Sequence, residues 1–141
     1  MNYLSYLYGS NLSELSIMLQ QLFQVIVLPK NKLQDILKES ISLKIKHLEV
    51  LGNILKDNNI RPIFGYHEYN KTYYFNTYDL YYDMDINTII KININNEKKH
   101  ITNINMVMSS IYDQDIKNIL NDILKDEYNM LKKFVDLKYC I

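Results

Sequence analysis

The chain has 141 residues, 48% of them apolar, and its 16 lysines and arginines balance its 16 aspartates and glutamates. That length and apolar content suit a single domain, residues 1–141, whose core needs neither a disulfide framework nor a structural metal. With no net charge and with bases scattered among acids, no basic stripe points to nucleic acid or to an anionic membrane surface, and neither partner is expected.

Cys140 is the only cysteine, which excludes an internal disulfide and fits a reducing, cytoplasmic setting. Residues 15–28 are apolar but carry Gln20, Gln21 and Gln24, and they stop at Pro29. The run is too short to span a bilayer and has neither the basic leader nor the small-residue cleavage site of a signal peptide. The chain has no alanine or tryptophan but is rich in Asn, Ile, Lys and Tyr, a bias that fits an AT-rich genome and carries no chemical information.

In chain order, Asn11 or Ser13 caps a predicted helix over residues 11–28, with Leu15, Met18, Leu22 and Val25 along one face. A second helix is expected over 33–57, its inward face formed by Leu33, Leu37, Ile41, Lys44, His47 or Leu48, Leu51 and Leu55. The residues at 57–59, followed by Arg61 and Pro62, break it. From 60 to 85 the periodicity disappears. Seven tyrosines from Tyr66 to Tyr82, with Phe64 and Phe75, mark one long aromatic connection whose rings cover the outside of the protein, with His67 and Glu68 facing solvent. A third helix is expected over 86–111 with Ile90, Ile94, Glu97, Ile101, Ile104 and Met108 on one stripe, although the alternation over 89–94 also suits a strand. Residues 112–114 turn the chain into a fourth helix over 115–138, where Ile116, Ile119 or Leu120, Ile123, Glu127, Met130 or Leu131 and Phe134 face inward.

Four helices joined by short, long and short connections describe an all-α bundle of two antiparallel hairpins with one long crossover. One spacing occurs twice: Glu14 is followed 30 and 33 residues later by Lys44 and His47, and Glu97 at the same intervals by Glu127 and Met130. With turn centres near residues 30 and 113, Glu14 and Glu97 each lie 16 residues before a turn, and Lys44 and Glu127 each lie 14 after. Because helices rise evenly, these four positions are expected at one level of the bundle.

Over nearly its whole length the chain resembles the ferritin-like di-iron and di-manganese carboxylate proteins. Residues 12–20, with Ser13-Glu14-Leu15, are similar to the family's first-helix pattern S-E-L-x-A-I-x-Q. His47-Leu48-Glu49 with Leu51-Gly52, continuing to Asn59 and Pro62, resembles the H-L-E-x-L-G stretch of bacterioferritin, rubrerythrin and manganese-catalase-like proteins. Glu97-Lys98 with Ile101 matches E-K-x-x-I, and Ile119-Leu120 with Asp126-Glu127 matches I-L…D-E-x-x-H. In such proteins one helix of each hairpin gives a Glu and the other gives Glu-x-x-His. The resemblance therefore implies a metal site of Glu14, His47, Glu97 and Glu127.

Two positions depart from that pattern. Lys44 stands where the resemblance implies a bridging glutamate, and an ammonium there repels metal ions. Met130, a soft thioether, stands where it implies a histidine. The expectation is a degenerate site, not competent for catalase or ferroxidase turnover. It holds either no metal, with Lys44 paired to glutamates, or one Fe or Mn ion on Glu14, His47 and Glu127. His100, three residues after Glu97, has the spacing of an extra ligand. Two alternatives stand beside this reading: a mononuclear Fe or Mn protein reacting with oxygen or peroxide, and a structural or assembly subunit forming homo-oligomers through helix faces or the tyrosine-rich connection.

Overall fold

The computed structural model describes residues 2–139; Cys140 lies outside them. The chain runs α1 (Asn2–Gly9), α2 (Glu14–Val27), α3 (Lys32–Asp57), β1 (Gly65–Glu68), β2 (Lys71–Tyr74), a 3-10 turn (Thr77–Asp79), α4 (Ile86–Ser109) and α5 (Gln114–Lys138). The helix pairs α2–α3 and α4–α5 form two hairpins connected by the stretch from residue 58 to 85, as the loop lengths require. The ambiguous segment 89–94 is helical.

Each long helix starts where a side chain can take up its unpaired amides. Ser13 and Ser16 form a reciprocal capping box at α2, and Asn31, Asp85 and Asp113 accept backbone hydrogen bonds at the starts of α3, α4 and α5. Asn11, the other cap candidate, lies before the helix, so α2 begins at Glu14 rather than residue 11. Among the described residues no helix is long and apolar enough to cross a membrane.

The apolar side chains form two clusters rather than one. Leu4, Leu7, Leu51, Leu55, Ile104, Leu120 and Ile123 fill one end, while Leu33, Leu37, Ile89, Ile90, Met130 and Phe134 fill the other. Between them along α3, α4 and α5 come Lys44, His47, Glu97, His100 and Glu127, all buried. A polar layer thus separates two hydrophobic halves.

Three features differ from the sequence expectation. The helix α1 had no periodic signal in its eight residues, yet it packs on α2, α3 and α4, and Leu4 and Leu7 are fully buried. The inward face of α2 is rotated: Gln20, Gln21 and Gln24 are buried, while Leu22 is 42% exposed and Ile26 73%. The long connection contains an antiparallel hairpin pairing Gly65 with Tyr74 and Glu68 with Lys71. Gly9 seats that hairpin on α1, since a Cβ there would lie 2.1 Å from the Gly65 carbonyl oxygen, and Gly65 lets the two strands close, since a Cβ on it would lie 2.0 Å from the Tyr73 carbonyl oxygen. The tyrosines do cover the surface, with Tyr69, Tyr74 and Tyr78 mostly exposed.

Candidate metal centre

Glu14 opens α2, where the helix dipole favours an acid, and the capping box holds that end in place. The Ser13 hydroxyl, which accepts from the Ser16 amide, also donates to the Ser10 carbonyl at 2.6 Å. Lys44 and His47 lie one turn apart on α3, Glu97 and His100 one turn apart on α4, so each pair shares a face. Glu127 points inward from the middle of α5. All six side chains meet in the polar layer.

Lys44 is the hub. Its Nζ lies 3.0 Å from Glu97 Oε1 and 3.1 Å from Glu97 Oε2, and it donates a short hydrogen bond to Glu127. His47 Nδ1 sits between two carboxylates, 3.2 Å from Glu14 Oε2 and 3.1 Å from Glu127 Oε1, while its Nε2 reaches Asp126 Oδ2 at 2.8 Å. His100 bridges to α2, with Nε2 2.7 Å from Glu14 Oε1 and Nδ1 3.2 Å from the Leu12 carbonyl oxygen. On the far side the Gln21 amide donates to Glu97 at 3.4 Å and to Asn93 at 3.2 Å, and Asn93 donates to Gln24 at 2.7 Å.

The electrostatics follow from this wiring. Burial opposes charge on Lys44, but Glu127, Glu97 and Glu14 outweigh it and hold the ammonium above the ordinary lysine range. Burial likewise opposes charge on His47, yet hydrogen bonds to Glu127 and Glu14 push it up to about 10. Glu127 resists burial through the Lys44 charge and hydrogen bonds from Glu97 and His47, and it falls well below the usual carboxylate range. Burial and the neighbouring Glu127 drive Glu97 well above that range. On Glu14, burial and Glu127 act upward, but His100 and Lys44 bring it below its ordinary value. These directions favour the cationic forms of Lys44 and His47 and the anionic forms of Glu14 and Glu127, and make Glu97 the carboxyl that favours its proton.

Glu14, His47 and Glu127 each offer one ligand atom, and these atoms all lie within 4.8 Å of one another. Two carboxylates and one imidazole form a donor set suited to a divalent first-row ion. One ion fits there once the proton on His47 Nδ1 has left. Beside Glu97 the Lys44 ammonium holds both Glu97 and Glu127, and Met130 is packed in the apolar cluster with Phe134. His100 is joined to Glu14 and is not one of the three convergent residues.

Three-dimensional comparison decides the class of the fold. Two crystal structures of KatB, a manganese catalase, superpose on the chain with TM-scores of 0.84; one is the wild-type protein from Anabaena and the other comes from Anabaena PCC7120. Each aligns over 96% of this chain and 69% of its own, at 18% sequence identity. The chain has the ferritin-like fold. No protein-family model matches it, and a search of curated proteins finds no match.

In this ferritin-like setting, sequence reasoning placed Glu14, Lys44, His47, Glu97 and Glu127 together but missed four partners. Asp126 was visible only as the residue before Glu127, and it reaches His47 from the edge of the bundle. Gln20, Gln21 and Gln24 do carry a signal beyond their weight against a membrane span, since three glutamines in an apolar helix need buried partners if they face the core, whereas nothing in the sequence marks Asn93 as one of those partners.

Proposed function

We propose that this is a ferritin-like protein with a degenerate metal centre, in which an internal ion-pair network replaces the metal pair and leaves room for at most one Fe or Mn ion, on Glu14, His47 and Glu127. The observation that carries this reading is the Lys44 ammonium bound to both Glu97 and Glu127. The structural neighbours are named as manganese catalases, and in the two-metal carboxylate sites that the sequence resembles such turnover needs two ions held close together. Here a fixed positive charge stands in the second position and repels an ion there.

The pairing of the Lys44 ammonium with Glu97 and Glu127 supports a metal-free resting state. Binding a divalent ion at Glu14, His47 and Glu127 displaces the His47 proton. With Glu97 then ionised, three carboxylates balance one ammonium and one dication. When bound, a single ion of this kind supplies Lewis acidity or one-electron chemistry; the chain's own residues hold it and set its protonation. The exposed Leu22 and Ile26 on α2 favour, as a second role, a structural subunit that associates through that helix face.

Elemental analysis of protein purified from medium containing Fe and Mn tests the proposal. At most one metal per chain is expected, lost in His47→Ala, with no catalase turnover. Two metals per chain overturn it.

A further inference from the structure

A second concave region lies away from the polar layer, between α1, β1 and the later half of α4. Its volume is about 730 Å³, within the range of small-molecule sites. Tyr3 and Tyr6 of α1 and Tyr66 of β1 form its walls, Met106 and Val107 of α4 line it as well, and Glu68 supplies a carboxylate. The Tyr6 and Tyr66 rings stand at 80° to one another with centroids 5.2 Å apart, while Tyr73 stacks on Tyr66 at 5.0 Å and 13°. These walls are fixed in place. The close approach of Gly9 and Gly65 seats β1 on α1, and the Ser5 hydroxyl accepts a hydrogen bond from the His67 amide at 3.1 Å.

Glu68 is the one acidic side chain among the lining residues. Among the described residues the lining holds no lysine or arginine, its one histidine, His67, has its ring nitrogens on Thr72 Oγ1 and the Arg61 carbonyl, and Glu68 makes no ion pair, although Lys71 is its cross-strand neighbour. Burial, with the Glu68 charge next, raises the Tyr66 phenol, so the carboxylate acts within the cleft. Perpendicular tyrosine rings beside an unpaired carboxylate are what a weakly hydrated organic cation needs. The ring faces carry negative electrostatic potential, and the acid supplies a counter-charge without demanding a directional hydrogen bond.

We infer that the cleft between α1, β1 and α4 binds a small organic cation of the quaternary-ammonium class, held by the rings of Tyr3, Tyr6 and Tyr66 and by the Glu68 carboxylate. This inference is independent of the metal centre.

The test titrates the full chain with choline and, separately, with 3,3-dimethylbutan-1-ol, its neutral isostere, following the tyrosine ring and Glu68 amide resonances by NMR. Choline is expected to saturate shifts at these residues, with the neutral compound about tenfold weaker or more. Glu68→Gln, at an exposed position, is expected to weaken choline about tenfold and leave the neutral compound unchanged. Tyr66→Leu is expected to remove the preference for the cation. Equal binding of the two compounds reduces the cleft to an apolar groove, and the absence of saturable shifts with choline removes the site; either result overturns the inference. If Tyr66→Leu does not fold, the comparison of the two compounds on wild-type protein still decides.

Discussion

The Lys44 ammonium lies 3.0 Å from the Glu97 carboxylate, joining a residue of the first helical hairpin to one of the second. Both side chains are almost wholly buried, at 1% and 0% exposure. A charge so enclosed depends on its partner, because nothing else in its surroundings replaces the lost water.

Lys44→Ala is therefore expected to destabilise the protein by about 3–5 kcal/mol, since it strands Glu127 without its main counter-charge. Urea unfolding measures this. A loss below about 1 kcal/mol, the ordinary worth of an exposed pair, would mean that the buried contact is not formed in solution.

Stability of the metal-free protein should fall as the solution becomes alkaline. His47 has its folded value raised to about 10, against about 6.5 in an unfolded chain. Its stabilising contribution is complete below about 6.5 and is lost as pH rises through the folded value. Glu97, also raised, acts in the same direction from the ordinary carboxylate range upward. Glu127, lowered, adds stability above about 4.3 that disappears on acidification. Thermal unfolding between pH 6 and 10 should show a decline of a few kcal/mol in order of magnitude, reduced in His47→Asn. A flat profile contradicts the wiring around Nδ1.

The double variant Lys44→Glu, Met130→His restores the residue types of a two-metal carboxylate site. It is expected to bind two Mn or Fe ions per chain where the wild type binds one at most. Elemental analysis after dialysis reads the outcome, and a folded variant that stays metal-free would show that the ligand level is misplaced.

Gln20 clamps the crossover to α2, its amide donating to the Tyr81 carbonyl at 2.7 Å and accepting from the Tyr81 amide at 2.7 Å. Gln20→Ala leaves those two backbone groups to find water and should cost about 1–3 kcal/mol. Faster hydrogen exchange at the Tyr81 amide is the direct readout. Unchanged exchange would mean that the crossover is held by other contacts, such as the edge-to-face pair of Phe23 and Tyr82.

The long helices and the level of the site could be read from the chain because they rest on intervals. Leucines and isoleucines recur at helical steps, and equal distances from two turns put Glu14, Lys44, Glu97 and Glu127 at one height. The face of α2 could not be read that way. Both its sides carry apolar residues, and only the presence of Asn93 and Glu97 on α4, far away in sequence, makes the glutamine side the buried one. The hairpin was hidden for a different reason. Its two-residue turn puts Tyr69 at a φ of 53°, a conformation for which Gly or Asn would have been the signal. Helix α1 has too few residues for a period to show, and its burial depends on partners from α2, α3 and α4.

The polar layer between the two hydrophobic clusters also fixes how the helices may slide past one another. Apolar bundles tolerate a shift of one helical turn, about 5.4 Å, because one leucine can replace another. Here the same shift of α3 would carry Lys44 away from both carboxylates and push its ammonium into a hydrocarbon cluster, leaving Glu127 unpaired as well. The Lys44 ammonium therefore has a structural duty as well: it sets the longitudinal alignment of the two hairpins.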